Sequence, residues 1–307
     1  MLVAVLCTTG CGVIPLEPRW LKASLHVHTT HSDGENTPSE VLRWYADHGY
    51  DVVAITDHNR GTTFGEIWAA PPGLLVIPGV EFTSEGDHKP VHVNGLFVIA
   101  TPKRLEERTA VGALTRMLAF FAQAGGLAVV NHPNYGHAVN LDDLLQTNTQ
   151  FLEVFNASSG SENDGGYAPG GSSEELWDGL LARGRRVYGL AVDDMHALPG
   201  GKNPNRPGGG FVMLYAHADW LSVHEALMAG RFYASSGPVL RSADLSPSRV
   251  HVVPQATTGC VWQMHGARED VLPGGPLDLR QPAHGYVRAV YDCGEAGSVF
   301  LQPLFAQ

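Results

Sequence analysis

From residue 23 to about 235 the chain alternates short apolar runs with amphipathic stretches. ASLHVH, DVVAITDH, LLVIPGVEF, VHVNGLFVI, LAVVNHP, FLEVFN, VYGLAVDDMH and FVMLYA are rich in β-branched and aliphatic residues and predict strands. Between them, TPSEVLRWYADHG predicts a complete helix. Thr37 caps it, Pro38 suits its first turn, Glu40 closes a capping box and Gly49 stops it. The stretch from Thr109 to Ala124 predicts another helix, ending at Gly125. Ser172 with Glu175 forms a box that opens EELWDGLLARG, and Ser222 with Glu225 opens VHEALMAG, closed by Gly230. Such alternation predicts an α/β fold of parallel strands joined by crossover helices. Several strands run into polar, reactive residues, which points to a barrel, where chemistry sits at the strands' C-terminal ends.

The pattern changes after Gly237-Pro238. Short β-type runs such as RVHVVP, GCVWQMHG and YVRAVYD follow, separated by Gly and Pro, and no further helix is predicted. The expected organisation is an apolar segment over 1–19, a barrel over 20–238 and a small β appendage over 239–307. The first segment reads either as a strand, VAVL, or as a degenerate signal or lipoprotein peptide ending near Gly10-Cys11. The first reading leaves a cytoplasmic protein, the second an exported one. Two glycine-rich loops, around 159–172 and 199–210, are long enough to be functional.

Composition narrows the function. The net charge of −11 argues against nucleic acid as the main partner, since a phosphate polyanion is repelled without a basic patch. No stretch is apolar for long enough to span a membrane. None of the four cysteines forms a Cys-x-x-Cys pair, which disfavours a structural zinc site. Cys260 and Cys293 either pair or remain buried thiols.

The fifteen histidines matter through their positions. His26 and His28 stand two apart and project to the same side of one strand. Asp33 follows in HSDG, His58 ends DVVAITDH, Glu81 follows LLVIPG, His92 lies in VHVNG, and His132 ends LAVVNHP. Asp194 and His196 repeat the two-residue spacing in DDMH. Imidazoles and carboxylates together suit manganese, iron or zinc.

The set HVHTTHSDG, ITDHN, GVEF, VHVNG, NHP and DDMH resembles the polymerase-and-histidinol-phosphatase (PHP) family over about residues 20–235. WLKASLHVHTTHSDGE, EALMAGRFYASSGPVL and YVRAVYDCGEAGSVFLQPLF are more narrowly similar to its CehA/McbA branch, which includes aryl carbamate hydrolases. The ending VFLQPLF departs from the usual pattern of that branch. The resemblance implies a distorted seven-stranded barrel and two or three divalent metal ions. His26, His28, Glu81 and Asp194 would hold the first, and Glu81, His92 and His132 the second, with Glu81 as bridge. Asp33, His58 and His196 would hold the third. Asp193 is a substitute for Asp194 that the Asp-x-His spacing disfavours, and Asp57 is expected to orient a ligand.

No Gly-x-Ser-x-Gly elbow and no cysteine near the cluster offers a nucleophile, so a metal-bound hydroxide is expected in that role. Arg60, Lys202 and Arg206, with Asn59 and Asn156, are the expected contacts of a small-molecule ester substrate. Phe64, Trp68 and Tyr135 would line a pocket for a neutral one. The expected activity is hydrolysis of a phosphomonoester or phosphodiester. A carbamate, aryl ester or phosphotriester hydrolase is the alternative, and a non-catalytic metal-binding protein the third.

Overall fold

A computed structural model describes residues 17–86, 88–101, 107–166, 171–256 and 258–307. The apolar segment expected over 1–19 lies almost wholly outside the described residues. The chain is a mixed α/β protein built on a large mixed sheet with few helices. Its first nine strands are β1 (Arg19–Ser24), β2 (Val52–Ile55), β3 (Leu75–Gly86), β4 (Lys89–Leu96), β5 (Leu127–Val130), β6 (Phe151–Asn156), β7 (Tyr188–Val192), β8 (Phe211–Ala216) and β9 (Phe232–Ser235). The helices are α1 (Pro38–Asp47), α2 (Phe64–Trp68), α3 (Ala110–Gln123), α4 (Leu141–Leu145), α5 (Ser173–Ala182) and α6 (Trp220–Met228).

Strands β1 to β7 lie side by side in chain order. Just past their C-terminal ends, an isolated parallel bridge joins Val27 to Met195, and His28 N–H donates to Met195 O at 2.9 Å. The residues following β1 and β7 therefore meet. The expectation of wholly parallel pairing needs correction. β1–β2, β2–β3, β5–β6 and β6–β7 are parallel, but β3–β4 and β4–β5 are antiparallel. Only residues 87 and 88 separate β3 from β4, and a crossover helix needs about a dozen residues. A tight hairpin is the one connection that fits.

The capping boxes of α1 and α5 form as the sequence indicates. Helix α6 differs: its cap is Asp219, whose side chain accepts from Ser222 N–H, while Ser222 Oγ accepts from His217 N–H. Short helices α2 and α4 carry capping boxes of their own, Thr63 with Glu66 and Asn140 with Asp143. Helix α3 lies close on β4 because Gly95 has no side chain; a Cβ there would meet the Phe121 ring at 2.2 Å.

The remaining strands are β10 (Leu240–Leu245), β11 (Arg249–Pro254), β12 (Val261–Gly266), β13 (Val271–Pro273), β14 (Leu277–Arg280), β15 (Tyr286–Asp292), β16 (Ser298–Leu301) and β17 (Leu304–Phe305). β10, β11 and β14 form a separate sheet, whereas β16 pairs with β9 and so continues the large sheet. Of the two alternatives for Cys260 and Cys293, the structure shows the disulfide, with Cα atoms 4.2 Å apart.

A buried ion pair pins these C-terminal strands to α5. Fully buried Arg288 of β15 donates from Nε and Nη2 to Asp178 at 2.6 and 2.7 Å, and from Nη1 to Glu174 at 3.1 Å. Its guanidinium lies over the Trp177 ring, 4.5 Å from the centroid. Burial alone would raise the Asp178 pKa, but hydrogen bonds with His265 and Arg288 outweigh it and hold the carboxyl well below its usual range. A depressed folded-state pKa contributes stability at neutral pH that is lost on acidification. Arg288→Met, which strands the Asp178 charge, is expected to cost about 3 kcal/mol near neutral pH. Urea unfolding of parent and variant should show that difference shrinking below pH ~4, where the unfolded carboxyl protonates. A difference independent of pH would show that Arg288 acts by packing alone.

Candidate metal centre

The elements deliver nine side chains to one place, past the C-terminal ends of β1, β2, β5 and β7 and beside the middles of β3 and β4. His26 and His28 follow β1, and Asp33 lies in the turn beyond them. His58 follows β2 and forms an isolated bridge with Glu81 in mid-β3. His92 lies on β4, His132 follows β5, and Asp194 and His196 follow β7. His26 and His28 are fully buried, with Glu81, Asp194 and His132 nearly so.

Glu81 sits at the centre. Its Oε2 lies 3.2 Å from His26 Nε2, 3.1 Å from His28 Nε2 and 3.3 Å from His58 Nδ1. Its Oε1 lies 2.9 Å from His92 Nδ1 and 3.3 Å from His132 Nε2. Asp194 Oδ1 approaches His26 Nε2 at 3.3 Å and His28 Nε2 at 3.1 Å. Asp33 Oδ2 closes the outer side, 3.6 Å from His58 Nε2 and 3.4 Å from His196 Nε2. The donors fall into overlapping groups: His26, His28 and Glu81; His58, Glu81 and His92; His26, His132 and Asp194; and His28, Asp33, His58 and His196.

The arrangement fits cations. His26 Nδ1 lies 2.7 Å from Glu153 Oε1, so a neutral ring donates there and leaves Nε2 as a bare lone pair. That lone pair faces His28 Nε2 at 3.1 Å and the Glu81 and Asp194 oxygens. Only positive charge, whether protons or metal, reconciles these acceptors in a buried space. Asp194 Oδ1 and His92 Nδ1 are buried without a hydrogen bond. With protons alone, burial would lower the His28 pKa, but hydrogen bonds to Asp194 and Glu81 raise it to about 10. His26 is raised well above its usual value against the same burial, by Asp194, Glu81 and Glu153. Glu81 is pushed well below the carboxylate range by His26, His92 and His58, although burial opposes this. His58 is lowered, chiefly by burial.

Further residues fix the donors. Glu153 Oε2 accepts from His132 N–H at 2.8 Å and from Asn156 Nδ2 at 2.9 Å. Asn131 Nδ2 donates to Glu81 Oε1 at 2.8 Å. The sequence reading missed Glu153 and Asn131. A lone carboxylate inside the apolar strand FLEVFN was the available signal for Glu153. Asp57 accepts from Thr29 N–H, Thr29 Oγ1 and Ser32 Oγ, all at 2.8 Å, and so holds the turn that carries Asp33. Asp193 points away from the nest, accepting from Ser24 Oγ and Tyr45 OH; burial pushes it up to about 6. Asp194 has φ +49°, a left-handed conformation that a non-glycine residue adopts at a cost.

The donors open into a cavity of about 250 Å³, whose other walls are Tyr135, Ser158, Ser159, Gly160, Ser161 and Asn205. The expected substrate contacts lie elsewhere. Arg60 pairs with Glu66 at 2.9 Å, and Arg206 donates to the carbonyls of Leu198 and Gly201 at 2.8 and 2.7 Å. Lys202 does not line the cavity, and its N–H donates to Glu35. Asn59 Oδ1 accepts from Thr83 N–H, while buried Asn156 donates to Asp194 Oδ2 at 3.2 Å. Tyr135 lines the cavity, whereas Phe64 and Trp68 stack on each other outside it. His31 Nδ1 lies 2.5 Å from Glu66 Oε1, outside the nest.

No protein-family model matches the sequence. The uncharacterised protein MJ1587 of Methanocaldococcus jannaschii is 31% identical over 153 residues, covering 45% of this chain and 82% of the archaeal protein. A 5'-3' exoribonuclease of Haemophilus influenzae is 31% identical over 102 residues, 29% of this chain and 37% of the enzyme, so the match spans little more than a third of that relative. Among solved structures, a two-domain protein from Bacteroides vulgatus containing a predicted PHP-like metal-dependent phosphoesterase aligns with a TM-score of 0.53. Identity is 14%, with 94% of this chain and 95% of that one covered, and the likeness is one of fold. The chain belongs to the family of the Methanocaldococcus protein.

Metal binding must displace protons from the imidazoles that the carboxylates hold charged, so it is expected to release protons at neutral pH and to tighten as pH rises. Calorimetric titration of manganese in buffers of different ionisation enthalpy measures this. Binding without proton release would contradict the protonation described above. Glu81→Gln should reduce bound metal to one equivalent or less, while His31→Ala should leave it unchanged. Equal metal content in the two variants would remove Glu81 from the centre.

Proposed function

We propose that this protein is a metal-dependent hydrolase of small phosphate esters, mono- or diesters, with no protein nucleophile. The convergence of six imidazoles and three carboxylates in one nest around Glu81 carries the reading. His26, His28, Glu81 and Asp194 would hold one cation, Glu81, His92 and His132 a second, and Asp33, His58 and His196 a third. When bound, such cations supply Lewis acidity, lowering the pKa of water to about 7 and drawing charge from a phosphoryl oxyanion. Glu153 selects the His26 tautomer that presents Nε2, and Asn131 keeps Glu81 turned inward. Asn156 does the same for Asp194 from the opposite side.

The ester class is supported by the fold neighbour named for phosphoesterase chemistry and by the exoribonuclease relative. The charge of −11 favours a small ester over nucleic acid. The chain order of β1–β7 and the Val27–Met195 bridge support reading them as a distorted seven-stranded PHP barrel over 20–238, with 239–307 appended. Among the described residues no helix is long and apolar enough to cross a membrane.

One observation favours a second reading, hydrolysis of a neutral carbamate, aryl ester or phosphotriester, as in the CehA/McbA branch. Among the described residues, no lysine or arginine lines the cavity. The two readings separate on the metal-loaded protein assayed with p-nitrophenyl phosphate, its diester and triester, and an aryl carbamate. The mono- or diester is expected to exceed the neutral substrates in kcat/KM by about tenfold or more, ~1.4 kcal/mol of transition-state preference. The reverse order would install the second reading, and no turnover of any substrate would contradict both.

A further inference from the structure

Beside the metal donors, the cavity has a wall of a different kind. The turn Ser158–Ser161 forms one side, and the exposed ring of Tyr135 faces it, within 3.5 Å of the point where a Cβ on Gly160 would lie. The Tyr135 ring also packs edge-on to His132, with centroids 5.2 Å apart, so this wall adjoins the donor nest. Apart from the metal donors, every described residue lining the cavity is uncharged.

Asn205 holds the wall in shape. Its Oδ1 accepts from Ser159 N–H at 3.1 Å, and its Nδ2 donates to Ser158 Oγ at 2.7 Å. Its carbonyl accepts from His196 N–H and Ala197 N–H, both at 3.1 Å. One residue thus ties the turn after β6 to the segment that carries His196. Ser161 spends its hydroxyl on the carbonyls of Asn156 and Ser158, and Ser159 on Asn205. Among the described residues, three donors on this wall remain without an acceptor: Ser158 O–H, Gly160 N–H and Tyr135 O–H.

We propose that this wall is an uncharged alcohol subsite, taking the departing group of the ester as a neutral, hydroxyl-bearing sugar or polyol. The assignment rests on the phosphoesterase reading above. An ionised leaving group would give up hydration on this wall without meeting a charged side chain among its described residues. Hydroxyls exchange hydrogen bonds with the three unspent donors, two of which also accept, and the Tyr135 face covers the carbon skeleton. Asn205 is a positioning residue: it sets the turn without touching the phosphoryl group.

Two uncleavable probes test this: methylphosphonate and its C-glucosyl derivative, in which a carbon–phosphorus bond replaces the ester. Both are titrated calorimetrically onto the manganese-loaded protein. The glucosyl probe is expected to bind about tenfold more tightly, as one to two added hydrogen bonds would give. Asn205→Ala and, more mildly, Ser158→Ala should shrink that ratio towards one. Asn205→Asp, which keeps the acceptor for Ser159, should retain part of it. Equal affinity of the parent for both probes would overturn the subsite and leave the phosphoesterase reading standing. Failure of methylphosphonate itself to bind would count against that reading instead. A ratio unchanged in both the Asn205→Ala and Ser158→Ala variants would overturn the role given to the turn.

Discussion

A single buried carboxylate, Glu81, faces five imidazoles at the floor of a cavity. Imidazoles from four other strands, β1, β2, β4 and β5, meet at its two oxygens, and none of these groups can be moved without unbalancing the others. Buried acceptors at this density are tolerable only with positive charge among them. The surrounding fold supplies the means of holding them together: the rigid ends of β1 to β7, the buried Glu153 behind His26 and His132, and Asn131 and Asn156 on the carboxylates. The left-handed backbone of Asp194 belongs to the same account, since it turns that carboxylate into the nest.

The nine donors were legible in the sequence because most follow a strand and Glu81 and His92 lie within one, and strand periodicity aims such residues at a common face. The partners behind them were less so. Glu153 is one acidic residue in an apolar strand, and Asn131 looks like any polar residue beside a metal-type histidine. The basic residues misled for a different reason. Proximity in sequence to His58 or His196 fixes where a Cα lies, but not where a long side chain reaches, and Arg60 and Arg206 are drawn to Glu66 and to loop carbonyls. The β3–β4 hairpin and the true cap of α6 were obscured by competing signals of similar local strength. Asp219 outcompetes Ser222 because its carboxylate receives the Ser222 N–H itself.

The C-terminal strands read from sequence as an appendage, and they do carry a sheet of their own. Yet β16 pairs with β9, and Arg288 reaches α5, so this region shares the main sheet and braces a helix packed on β6. The disulfide between Cys260 and Cys293 closes its far end.

The central claim is that Glu81 is the shared ligand of a multi-cation centre. Anomalous diffraction from manganese-loaded crystals, collected on either side of the absorption edge, tests it most directly. The account predicts two or more anomalous peaks in the nest, two of them flanking Glu81 with one carboxylate oxygen about 2.2 Å from each. A nest without anomalous density, with the imidazoles of His26 and His28 hydrogen-bonded as cations to Glu81 and Asp194, would contradict it.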